Sequence, residues 1–128
     1  MQKKVWINIT LKKFQIRFKK KFEYNNNMDT INVTIPEAKV IIQKRKKSLN
    51  FELIDVRTEM EYKAGHIDGA INIPLDMIQQ KINEFSKDKE YLLYCRTDGR
   101  SSYAAQLLKT QGFNVKYITG GYMQWIKN

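Results

Sequence analysis

Tyr91-Leu92-Leu93-Tyr94-Cys95-Arg96-Thr97-Asp98-Gly99-Arg100-Ser101 reads as a strand, a tight loop and the first turn of a helix. The run Tyr91–Cys95 is apolar without alternation, as a strand buried on both faces should be. Arg100–Gln111 reads as the helix, with Ala104, Leu107 and Leu108 inward and Gly112 as its stop. A strand that turns through a glycine-containing loop into a helix aims several backbone N–H groups at one point. An anion there is favoured by ~0.3–1 kcal/mol. Cys95 stands at that point, with Arg96 and Arg100 beside it and Asp98 opposing them. It is therefore read as a candidate thiolate nucleophile and not as a core residue. A Cys–His pair with His66 as base is the alternative arrangement. His66 is assigned a structural role instead, because the N–H groups of the loop suffice to stabilise the thiolate.

Outward from this stretch, short strands and helices alternate. Ile31–Thr34 reads as a weak strand and Pro36–Lys46 as a helix, with Pro in its first turn. Phe51–Val56 reads as a strand. Thr58 caps a short helix, Glu59–Ala64, which Gly65 ends. Ala70–Ile73 is a strand stopped by Pro74, and Leu75–Phe85 a helix with Leu75, Ile78, Ile82 and Phe85 on one face. Val115–Ile118 is the last strand, and Tyr122–Ile126 a closing helix. This order predicts an α/β fold with a largely parallel sheet covered by helices on both faces. Ligands in such sheets sit at the carboxyl ends of the strands, here after Asp55, Ile73, Cys95 and Ile118.

The chain has 128 residues, 42% hydrophobic and 28% charged, which suits one globular domain with a real core. The net charge is +10, and its distribution argues against a nucleic-acid partner. Residues 1–27 carry Lys3, Lys4, Lys12, Lys13, Arg17, Lys19, Lys20 and Lys21 against the single acid Glu23, whereas residues 28–128 are only mildly basic. The run Lys44-Arg45-Lys46-Lys47 reads as a solvated helix C-terminus. Residues 1–27 form a basic extension whose apolar residues fit both a strand and a helix period, with the β-branched and aromatic content favouring strands (a two-stranded hairpin if the segment is ordered), and with neither a secretory nor a transmembrane segment. The functional domain is expected at 28–128, with Met28 as a candidate translation start. One Cys allows no internal disulfide, and one Cys with one His builds no structural zinc centre, so neither metal nor cofactor is expected.

Four stretches together resemble the rhodanese-like domain, and within it the small single-domain sulfurtransferases. Leu53-Ile54-Asp55-Val56-Arg57 is similar to the family's strand ending in D-x-R. Residues Glu61 to Pro74, read as EYKAGHIDGAINIP, resemble E-[FY]-x-x-G-H-I-x-G-A-x-N-I-P. Tyr94 to Ser101 resembles the active-site loop, and Gly112-Phe113 with Gly120-Gly121-Tyr122-Met123-Gln124-Trp125 the family's ending. Residues 1–27 match nothing in this pattern.

The resemblance implies a five-stranded sheet and a reaction. Cys95 would take the outer sulfur of an anionic donor such as thiosulfate as a persulfide, then pass it to cyanide, a thiol or a partner protein. Arg96, Thr97, Asp98, Gly99, Arg100 and Ser101 would cradle that persulfide, with Arg96 and Arg100 drawing in the anion. Asp55 and Arg57, with His66, would support the loop. Four residues separate Cys95 from Arg100; related phosphatases and arsenate reductases have five, so the shorter loop suits one sulfur atom better than a phosphate. The alternative is a persulfide carrier or interaction module loaded by another protein. With no second Cys, discharge needs an external acceptor. A free thiol fits a reducing compartment, the cytoplasm, and a monomer is expected.

Overall fold

The computed structural model describes residues 31–128. The hairpin expected in residues 1–27 and the boundary at Met28 lie outside the described residues. Five strands, β1 (Asn32–Val33), β2 (Phe51–Asp55), β3 (Ile71–Asn72), β4 (Glu90–Tyr94) and β5 (Asn114–Ile118), form one sheet in the order β1-β5-β4-β2-β3. Every neighbouring pair is parallel. The helices are α1 (Ile35–Arg45), α2 (Glu59–Ala64), α3 (Leu75–Ile78), α4 (Gly99–Thr110) and α5 (Gly121–Trp125).

The unbroken apolar run of β4 conceals a strict alternation between two cores. Leu92 and Tyr94 join Leu53, Ile118 and the α1 residues Ile35, Ala38 and Ile42 on one face. Tyr91, Leu93 and Cys95 join Ile54, Val56, Val115 and the α4 residues Ala104, Ala105 and Leu108 on the other. Burial of each large aliphatic side chain contributes about 1.5–3 kcal/mol, so β4 is pinned from both sides. Its end, and with it Cys95, cannot shift without disturbing both cores.

Local chemistry sets the helix starts. Thr34 and Glu37 form a capping box at α1, with the Thr34 hydroxyl accepting from the Glu37 N–H at 3.2 Å and the Glu37 carboxylate accepting from the Thr34 N–H at 2.9 Å. Thr58 and Glu61 repeat it at α2.

Two expectations need correction. The helix expected over Leu75–Phe85 stops at Ile78 and resumes only as a 3₁₀ turn at Ile82–Glu84. The Lys81 N–H is shared between the Met77 and Ile78 carbonyls, and the Ile82 N–H reaches Gln79, so the bonding tightens from four residues back to three. No side chain caps the start at Pro74, and packing decides so short a segment: Phe85 lies against the rings of Tyr91 and Phe113. Leu107 was expected in the core. Ala105 is fully buried there instead, and Leu107 packs half-buried at its margin.

Candidate active site

Cys95 is the first residue beyond β4 and is 1% exposed. Its Sγ lies 3.3 Å from the backbone N–H of Ser101 and 3.3 Å from the Ser101 hydroxyl. Ser101 is the third residue of α4, so this N–H is one of the four that a helix leaves without an internal partner. The residue at the N-cap, Asp98, does not satisfy it: no side chain caps α4, and the Asp98 carboxylate instead accepts from the N–H of Gly120 at 2.8 Å. The sulfur occupies the place that a Ser or Thr oxygen takes at an ordinary helix start. Ser101 is itself fully buried, and its hydroxyl also reaches the Asp98 carbonyl at 3.3 Å.

The back of the loop is closed by the start of α5. Tyr122 N–H donates to the Cys95 carbonyl at 2.8 Å and Met123 N–H to the Arg96 carbonyl at 3.0 Å. Just before them Gly121 sits with φ +59°, where a Cβ would lie 2.5–2.6 Å from the carbonyl oxygens of Cys95, Arg96 and Thr97. Only glycine fits so close an approach. The three peptides are trans, and a planar trans peptide points its N–H opposite to its C=O. With the carbonyls held against α5, the N–H groups of Arg96, Thr97 and Asp98 point away from it. Arg96, Thr97, Asp98 and Gly99 are exposed.

Asp55 and Arg57 form a buried, bidentate ion pair at the end of β2. Arg57 Nη2 lies 2.6 Å from Asp55 Oδ2, and Nε 2.9 Å from Oδ1. The same Nη2 donates to the Gly65 carbonyl at 2.7 Å. The guanidinium lies 4.4 Å from the centre of the Tyr122 ring and 5.7 Å from that of Tyr94. Burial opposes the Arg57 charge, but the hydrogen bond and charge of Asp55 raise its pKa further. This pair therefore joins β2, the end of α2 and the Tyr122 ring of α5, the helix whose backbone N–H groups hold the loop carbonyls.

Arg100 is engaged by a carboxylate. Its two terminal nitrogens donate to Glu61 at 2.7 and 3.1 Å. Glu61 also accepts from the Thr58 N–H and hydroxyl, so one carboxylate ties the start of α2 to the start of α4. The Arg100 hydrogen bond holds the Glu61 carboxyl at about 2, well below the usual range. His66 is exposed and stacks on Tyr62 at 3.8 Å between ring centres. Its Nδ1 lies 2.8 Å from the Tyr62 carbonyl, which can only accept, so the proton sits on that nitrogen. Among the described residues, neither contact brings His66 to the Cys95 loop. Glu61, Gly121 and Tyr122 were not singled out as site residues, although the T-x-x-E spacing and the Gly120-Gly121 pair signalled two of them.

The profile of the rhodanese-like domain matches residues 35–128. The chain belongs to the rhodanese-like domain family. Among curated relatives it is 45% identical over 75 residues to the uncharacterized protein YqhL of Bacillus subtilis, covering 58% of this chain and 60% of that protein. It is 36% identical over 88 residues to thiosulfate sulfurtransferase 16, chloroplastic, of Arabidopsis thaliana, covering 59% of this chain and 73% of that protein. The chain thus spans less than two thirds of the first of these. A rhodanese-related protein of Thermoplasma volcanium superposes with TM-score 0.66 at 27% identity, covering 75% of this chain and 90% of that one. The rhodanese fold and its five-stranded parallel sheet are those expected from the sequence. Among the described residues no helix is long and apolar enough to cross a membrane.

Proposed function

We propose that this rhodanese-like domain is a sulfurtransferase working through a Cys95 persulfide. The observation that carries the reading is the Cys95 sulfur at the uncapped start of α4, 3.3 Å from the Ser101 N–H. The thiolate attacks the outer sulfur of an anionic donor such as thiosulfate. The donor's S–S bond breaks, sulfite leaves with the electron pair, and Cys95 carries the added sulfur as a persulfide anion. An external thiophile then takes that sulfur and returns the thiolate; one Cys in 128 residues provides no internal resolving thiol.

Several features support this assignment. The added sulfur extends Cys95 by ~2.05 Å, toward the loop whose N–H groups at 96–98 point away from α5. Donors aimed at these N–H groups stabilise an anion without reorganisation. Arg96, exposed on the loop, is the residue assigned to attract the donor, and Arg100 positions the start of α4 through Glu61. Asp55 and Arg57 hold the loop from behind. The working unit is assigned to residues 28–128, and a reducing, cytoplasmic setting would keep the thiol free.

Thiocyanate formation from thiosulfate and cyanide tests the reading. Wild type is expected to turn over, and Cys95→Ser to fall to the uncatalysed rate. Equal rates in the two proteins overturn it. Sulfur on Cys95 without turnover would identify a carrier loaded by another protein.

A further inference from the structure

The two edges of the sheet expose different chemistry. All neighbouring strands are parallel, so the strand starts share an amino edge and the strand ends, with Cys95, a carboxyl edge. Helix α1 carries the chain from the end of β1 back to the start of β2, and so finishes at the amino edge, opposite the Cys95 loop. Its last residues and the turn that follows read Lys44-Arg45-Lys46-Lys47-Ser48-Leu49-Asn50. Lys44, Lys46 and Lys47 are exposed, and among the described residues none of the three is paired with a carboxylate. Two carboxylates of this edge are already engaged, Glu90 by Arg45 at 3.0 Å and Glu52 by Lys89 at 2.8 Å, which leaves Asp68 and Asp88 exposed. Lys46 and Asp68 line a cavity of about 140 Å³, below the ~300 Å³ that holds an organic ligand. The feature is a surface and not a pocket.

The electrostatics of a helix end explain only part of it. Cations in the last turn complement the negative end of the helix dipole, which covers Lys44 and Arg45. Lys46 is the C-cap and Lys47 lies beyond it. Leu49 is 89% exposed in the same turn, and Val40, one turn before Lys44 on the same side of α1, is 51% exposed. Exposed aliphatic side chains among exposed lysines have the composition of an interfacial anchor. The apolar groups enter the boundary between headgroups and acyl chains, and the lysines meet anionic headgroups. A nucleic acid would use the cations but not the aliphatic groups, and residues 44–50 contain no aromatic ring on which a base could stack. The sequence ahead of β1 is basic as well, with eight Lys and Arg against one acid in residues 1–27.

We infer that the end of α1 and the turn to Leu49 dock this protein on an anionic lipid surface, with Lys44, Lys46 and Lys47 at the headgroups and Leu49 inserted among them. The inference is independent of the sulfurtransferase reading. A protein docked by its amino edge keeps the Cys95 loop, at the carboxyl edge, open to solution.

The test is co-sedimentation of the full chain with vesicles of phosphatidylglycerol and phosphatidylcholine, and with vesicles of phosphatidylcholine alone. Binding to the anionic vesicles only, weakening as salt rises, is expected. One lysine near such a surface contributes about fivefold to partitioning, so Lys47→Glu should lower binding at least fivefold. Lys63→Glu makes the same change of charge on α2, which begins past the carboxyl edge, and should lower binding less than twofold. That pair separates docking through this face from attraction by net charge and by residues 1–27, which every variant retains. Leu49→Ser should lower binding at least threefold with the urea midpoint unchanged, since the side chain is exposed. No binding to anionic vesicles, equal losses in Lys47→Glu and Lys63→Glu, or binding indifferent to Leu49→Ser overturns the inference. An oligouridylate complex that Lys47→Glu weakens while vesicle binding is unchanged would assign the face to nucleic acid and overturn it too. A dimer that Leu49→Ser dissociates, again with vesicle binding unchanged, would assign the face to a second copy, with the same consequence.

Discussion

Helices α2 and α4 both begin just past the carboxyl end of a central strand, yet their first turns are completed in different ways. At α2 the Thr58 hydroxyl accepts from the Glu61 N–H at 3.2 Å, and Glu61 accepts in return. At α4 the corresponding N–H, that of Ser101, faces the Cys95 sulfur, and the Asp98 carboxylate is turned to Gly120. A closed cap contributes to stability. An open one leaves a donor for the sulfur anion that the proposed reaction would create and remove. The same four orphan N–H groups thus serve the fold in one place and the candidate chemistry in the other, and Glu61, through Arg100, connects the two.

Substitutions around these two starts should separate their roles. The largest effect is expected at Arg57. Arg57→Met leaves the fully buried Asp55 without its partner, and removing one member of such a pair costs about 3–5 kcal/mol. Urea unfolding measures it; a loss below about 1 kcal/mol would mean the pair is not what joins β2 to the loop. Gly121→Ala follows. A left-handed non-glycine residue costs ~1–2 kcal/mol, and its Cβ also meets three carbonyl oxygens. A loss of at least about 2 kcal/mol, or a folded variant that no longer takes up sulfur, is expected. Full uptake at unchanged stability would contradict the proposed backing of the loop.

Thr58→Ala should cost about 1 kcal/mol, the usual value of an N-cap, read from the urea midpoint. Glu61→Gln is smaller still near neutral pH, below about 1 kcal/mol, because Gln retains the capping acceptor and only the partly exposed ion pair is lost. Its signature is in acid. A carboxyl held at about 2 in the folded chain, against 4.5 when free, contributes stability above about pH 4.5 that disappears as pH falls toward 2. The Gln variant should lack that component, so its urea midpoint should fall less steeply than that of wild type over this interval. Parallel curves would contradict the Glu61–Arg100 pairing.

Much of the fold was legible because local signals and burial agree. The run Tyr91–Cys95 required two covered faces, and Thr58 marked a helix start to the residue. The segment 75–85 was less legible, since its apolar spacing is also met by a helix that breaks into a 3₁₀ turn to suit Phe85. At the site, Cys95 and its loop could be located from strand, glycine and arginines in sequence order. The Glu61–Arg100 pair could not, because it joins residues 39 positions apart and only the fold sets their distance. Gly121 was visible as a glycine, but the reason for it, three carbonyls converging on one position, exists only in three dimensions. Arg96 and Arg100 look equivalent in sequence; one is exposed and the other is held by a carboxylate.

In the proposed reaction the Cys95 sulfur at the open start of α4 accepts and carries one further sulfur atom. Mass spectrometry of the full chain after exposure to thiosulfate tests it most directly. An adduct of a single sulfur atom is expected on the peptide containing Cys95, absent from Cys95→Ser and removed by cyanide. An unmodified Cys95, or an adduct that persists in the Ser variant, would contradict it.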